Sequence, residues 1–159
     1  MNEIAFLLGV PLVGGLVLAF SGGWAQAALI NVLFSLLTFI SAALLTFRVV
    51  GEGSITAYGD LFFVDSFNVF LVALTAFVAL NTAIFGRPYM LNEQRRGMLT
   101  APMLRLYHSM YQLFVFTMLL ALLTNNLGVL WVAMEAATLT TVLLVSLYRT
   151  PASIEAAWK

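Results

Sequence analysis

Long apolar runs separated by polar breaks dominate this chain. A helix rising about 1.5 Å per residue needs about 20 residues to cross a hydrocarbon core of about 30 Å. Five runs approach or exceed that length, at 4–20, 25–47, 67–85, 106–123 and 127–147. The first is slightly short and is softened by Pro11, Gly14 and Gly15. Backbone groups in lipid must satisfy one another, so each run is expected to be a helix. The strict alternation of a transmembrane barrel is absent. The pattern predicts an all-α membrane protein, with 1–159 as a single transmembrane helical region.

Ala25-Gln26-Ala27 mimics a signal-peptide cleavage site after the first run. However, Met1-Asn2-Glu3 carries no positive side chain, and the run exceeds a usual signal-peptide core, so it reads as a retained helix. Two connections are long, 48–66 and 86–105. The others are short, which predicts antiparallel neighbours. Asp65-Ser66-Phe67 looks like a helix N-cap, with the carboxylate accepting free amide protons of the first turn. Asn125-Asn126 reads as a tight turn.

Composition changes the picture only by removing alternatives. Hydrophobic types make up 62% of the 159 residues and charged types 9%, with a mean hydropathy of +1.01. A soluble domain carries roughly a quarter of its residues charged. Lipid must therefore solvate most of this chain. Net charge is zero and no basic block occurs, which argues against a nucleic-acid partner. The absence of cysteine excludes disulfides, thiolate metal sites and cysteine nucleophiles, and one histidine cannot form a histidine metal cluster.

The charges also predict orientation. With five spans, Arg87, Arg95, Arg96, Arg105, Arg149 and Lys159 fall on one side. Arg48 stands on the other with Glu3, Glu52, Asp60 and Asp65. The positive-inside rule puts the N-terminus outside and the C-terminus in the cytoplasm, in the cell (inner) membrane.

One acid breaks the pattern. Glu135 lies eight residues into the fifth run, roughly 12 Å along its axis. A charged carboxyl at such depth costs about 2.5 kcal/mol or more. Lipid favours its protonated form, and a carboxyl so placed can take up and release protons. The plainer reading is a protonated side chain acting as hydrogen-bonded glue between helices. Thr138 shares nearly the same helical face. Its hydroxyl either reaches Glu135 or, the favoured reading, bonds back to its own helix. On the fourth run His108 and Gln112 share a face, and His108 is either a proton-passing group or an interfacial histidine.

The tail from Arg149 to Lys159 looks like the start of a sixth helix, with Pro151 in its first turn. Glu155 and Lys159 are spaced for an ion pair. The chain then stops without a sixth apolar run, which suggests an N-terminal fragment of a larger subunit or a truncated gene product.

The stretch from Leu122 to Arg149, with Asn125-Asn126, Trp131 and Glu135, resembles helix five of the antiporter-like subunits. These occur in respiratory complex I, multisubunit sodium/proton antiporters and group 4 membrane-bound hydrogenases. Leu61-Phe62-Phe63-Val64-Asp65-Ser66-Phe67-Asn68 is also similar to that family's pattern. The ending from Tyr148-Arg149-Thr150-Pro151 to Trp158-Lys159 is most similar to the hydrogenase-4 branch of the family and its formate hydrogenlyase relatives. The resemblance covers the N-terminal third of a full-length member.

It implies coupling of electron transfer to proton movement. Glu135 matches a glutamate of the family's proton pathway, and Lys159 matches a lysine at the start of helix six. The family's later intramembrane lysines lie beyond this chain, so this polypeptide alone is not expected to form a complete proton path. The expected partners are the lipid bilayer and other membrane subunits of a redox-driven pump. No cofactor is expected here, because no ligand set for haem or iron–sulfur clusters is present. Redox cofactors belong in partner subunits. The alternatives are a structural or assembly subunit without transport of its own, a sodium/proton exchanger, or a subunit for inorganic-carbon accumulation.

Overall fold

Each apolar run folds as a helix. The computed structural model describes residues 2–21, 23 and 26–158. Five long helices are present: α1 (Asn2–Ser21), α2 (Ala27–Glu52), α3 (Ser66–Arg95), α4 (Ala101–Leu123) and α5 (Leu127–Val145). All five are long and apolar enough to cross a membrane. A short α6 (Pro151–Trp158) follows, and Pro151 opens it as its fixed φ favours. The all-α reading holds, with five long apolar helices and a short sixth helix.

Helices α1 to α4 form a bundle in which α4 is central, packing on α1, α2, α3 and α5. Its inward face repeats every turn as Tyr111, Val115, Leu119 and Leu123. Helix α3 presents Val69, Val72, Ala76, Ala79 and Ala83, all buried, at alternating spacings of three and four. The alanines let backbones approach closely, which is how helices gain packing energy where lipid supplies no hydrophobic drive. Two consecutive glycines serve α1 in the same way. A side chain at Gly14 would meet the Phe34 ring of α2, and one at Gly15 would meet Leu113 of α4.

Several boundaries differ from those the apolar runs suggest. Helix α2 continues past Phe47 through Arg48 to Glu52, so Arg48 lies in a helix and not in a loop. Its guanidinium is held by Glu52, at 2.9 Å one turn on, and by Glu3 of α1. Ala25, where the second run begins, lies outside the described residues. Helix α3 runs on past Phe85, through Pro88, to Arg95. Hydropathy marks where lipid ends, and water solvates the remaining turns of the helix. Proline removes a single backbone bond there. Helix α4 starts at Ala101, ahead of the apolar run, with Pro102 in its first turn. Helix α5 ends at Val145 instead of Leu147.

The long connection before α3 is not structureless. Strands β1 (Ile55–Ala57) and β2 (Phe62–Val64) pair antiparallel. Their turn places Tyr58, Gly59 and Asp60 at positive φ. The hairpin closes one end of the bundle. Ala57 and Val64 face the core, and Asn125 in the α4–α5 turn donates its backbone amide to the Leu61 carbonyl at 2.8 Å.

Asp65 caps α3 as its sequence suggests. Its Oδ1 accepts from the amides of Phe67 (3.0 Å) and Asn68 (2.8 Å). Asn68 Oδ1 accepts in return from the Asp65 amide at 2.7 Å, completing a capping box. Asp65→Ala should therefore lower stability by about 1 kcal/mol. A lowered thermal midpoint of the detergent-solubilised protein, with helical content unchanged, would report it.

The opposite end carries Arg95, Arg96, Arg105 and Arg149 in exposed positions. There Tyr148 donates to Glu93 Oε2 at 3.2 Å. This tie fastens the segment after α5 to the end of α3.

Candidate functional site

Helix α5 is attached differently from the rest. It packs on α4 and α6, and only 17% of its most apolar window is buried, against 33% to 44% for the other four spans. Ala133 and Thr140 alone count as buried on it. Leu127, Trp131, Met134 and Leu139 are largely exposed.

Glu135 sits on this open helix, near its middle, and its side chain is exposed at the bundle surface. Among the described residues it has no hydrogen-bond or ion-pair partner. The other polar side chains of α5 are committed to its own backbone. Thr138 Oγ1 donates to Met134 O at 3.0 Å. Thr140 Oγ1 bonds Ala137 O at 2.8 Å, and Thr141 Oγ1 bonds Ala137 O at 2.9 Å. Thr138 therefore follows the back-bonding reading and does not hold the carboxyl. Among the described residues the glue reading, in which Glu135 bridges helices within this bundle, finds no acceptor or donor.

Beside Glu135, Met134, Thr138 and Thr141 line a groove of about 420 Å³ with Met118 and Ala121 of α4 and Ala157 of α6. The groove is mostly apolar, and Glu135 is not among the residues that line it. Lys159, expected in the proton pathway with Glu135, lies outside the described residues.

His108 makes no hydrogen bond or ion pair with Glu135. It is buried within α4, only 3% exposed. Around it α4 carries a run of polar side chains, and each ties a different helix. Ser109 Oγ donates to Gly15 O of α1 at 2.8 Å. Tyr111 donates its hydroxyl to Ala79 O of α3. Gln112 Nε2 faces Asn31 Oδ1 at 2.8 Å and Ser35 Oγ at 3.0 Å, both on α2.

The structure thus separates the sequence candidates into two places. Glu135 and Thr138 lie on the open face of α5, and His108 lies in the polar centre of the bundle. Asn31, Ser35 and Ser109 are members of that centre which residue chemistry alone did not single out. A signal for them exists: Asn31, Ser35, Thr38 and Ser41 recur at helical spacing inside an otherwise apolar run, and all four are buried.

The chain aligns over all 159 residues, at 42% identity, with a protein of Methylacidiphilum infernorum named hydrogenase-4 component F homolog. It spans 32% of that relative's length. The resemblance seen in the ending and in the Trp131–Glu135 segment is borne out by this match. No protein-family model matches the chain.

Proposed function

We propose that this chain forms part of a proton-translocating membrane subunit in a hydrogenase-like redox complex, with Glu135 as the group that binds and releases the proton. One observation carries the reading. A carboxyl near the middle of a membrane-spanning helix faces outward with no partner among the described residues, on the helix least covered by its neighbours. Lipid is a poor solvent for it, so a protein surface with polar or basic groups is the environment that fits. A charge change in such a neighbour would drive proton uptake or release.

The similarity to a hydrogenase-4 component F homolog supports membership of a multisubunit membrane assembly. Redox cofactors would sit in partner subunits, and electrons would not pass through these helices. Lys159 is the basic group of this chain that the resemblance offers as a neighbour. The charge distribution supports an N-terminus outside and a cytoplasmic basic end. Arg48, the one basic side chain at the hairpin end among the described residues, is paired with Glu3 and Glu52.

A hydrophobic carbodiimide reacts with protonated carboxyls inside membranes and tests the reading. In vesicles holding the assembled complex it should block proton movement. The label should map to the peptide containing Glu135. Full inhibition with the label elsewhere, or labelling of Glu135 with proton movement intact, would sink the assignment.

A further inference from the structure

Within the bundle, well away from the α5 face, two polar atoms are buried without a protein partner: His108 Nδ1 and Gln112 Oε1. Gln112 has no exposed surface and His108 almost none. Both belong to α4 and lie four residues apart, so they share a face with a rise of about 6 Å between them. A buried polar atom left unpaired is costly, and two of them on one stripe compound that cost.

The surrounding bonds fix how this pair is arranged. Gln112 Nε2 points at three acceptors, Asn31 O (3.1 Å), Asn31 Oδ1 and Ser35 Oγ. Reversing the amide alone would set its oxygen against both Asn31 oxygens, so the carboxamide oxygen is held on the side away from Asn31. Ser109 is bound to Gly15 O and Tyr111 to Ala79 O, so neither hydroxyl proton is available.

We infer that a water molecule is bound between His108 Nδ1 and Gln112 Oε1, making the α2–α4 seam a hydrated polar site separate from Glu135. Water suits the chemistry. It donates to the carboxamide oxygen and can donate to or accept from an imidazole nitrogen. A metal ion does not suit it, because the site offers one imidazole and amides without a carboxylate. The inference does not rest on the role proposed for Glu135.

A density map of the assembled membrane protein that resolves ordered water tests this directly. A peak is expected within about 2.6 to 3.2 Å of both atoms. His108→Phe keeps the ring volume without Nδ1 and should remove the peak while Gln112 stays on Asn31. Two outcomes overturn the site. One is a map with both side chains resolved and no peak. The other is a concerted reversal of the Asn31 and Gln112 amides that pairs Gln112 Oε1 with Asn31 Nδ2. Should His108→Phe fail to fold, the map of the unaltered protein still decides.

Discussion

Glu135→Gln should leave the complex assembled and stop its proton movement. Glutamine keeps the shape and the hydrogen-bonding capacity of a protonated carboxyl, and it costs less to place in lipid than the charged form. It cannot gain or lose a proton. If Glu135 exchanges protons with a neighbouring basic group, the rate in reconstituted vesicles should fall about a hundredfold or more, the scale of losing an acid–base group. Electron transfer measured in the same preparation would become uncoupled or slow, depending on how tightly the two are linked. Glu135→Asp keeps the titrating group one methylene further from its neighbours and should retain an intermediate rate. Wild-type pumping by Glu135→Gln would defeat the proton-carrier assignment. Failure of assembly with Gln, and its rescue by Asp, would return Glu135 to a packing role.

The second large effect is expected at Gly14. A Cβ there would lie 2.8 Å from Cγ of Phe34, closer than real side chains approach, and the ring root cannot swing aside as a flexible tip can. Alanine at this position should cost about 1 to 3 kcal/mol as overpacking. Gly14→Leu should separate α1 from α2 and prevent accumulation of folded protein. Gly9 supplies the control on the same helix, since a Cβ there meets no atom within 4 Å. Gly9→Leu should change stability by no more than about 0.5 kcal/mol. Yield of monodisperse protein and its thermal midpoint distinguish the two. Equal behaviour of both variants would mean that α1 does not pack as described.

These glycines show where sequence reading stops. In the run 4–20 they look like weak points of a marginal span. In the fold they are where α1 packs tightly on its neighbours, which only the partner side chains Phe34 and Leu113 reveal. The spans themselves were legible because lipid imposes a length and a composition on them. The ends of α2 and α3 were not, because helix continues into water where hydropathy has no preference. The hairpin was hidden in the same way. Three-residue strands carry little signal of their own, and theirs depend on docking against Thr124 and Asn125. Tyr58-Gly59-Asp60 was the available turn signal.

Glu135 was legible as a lone acid in an apolar run. The side of α5 it faces was not, because the helix is apolar all round and gives no periodicity. His108 and Gln112 were seen to share a face, but the α2 partners of Gln112 are more than seventy residues away in the chain.

Helix α4 meets α1, α2, α3 and α5, and this has a consequence for how the nascent chain settles in the bilayer. The α1–α2 and α2–α3 pairs can form as each span leaves the ribosome. The Gly15 surface of α1, however, waits for Leu113 and Ser109, nearly a hundred residues later. Until then lipid or an insertion chaperone must occupy that surface. Synthesis of the fourth span is the step at which a string of inserted segments becomes a closed unit.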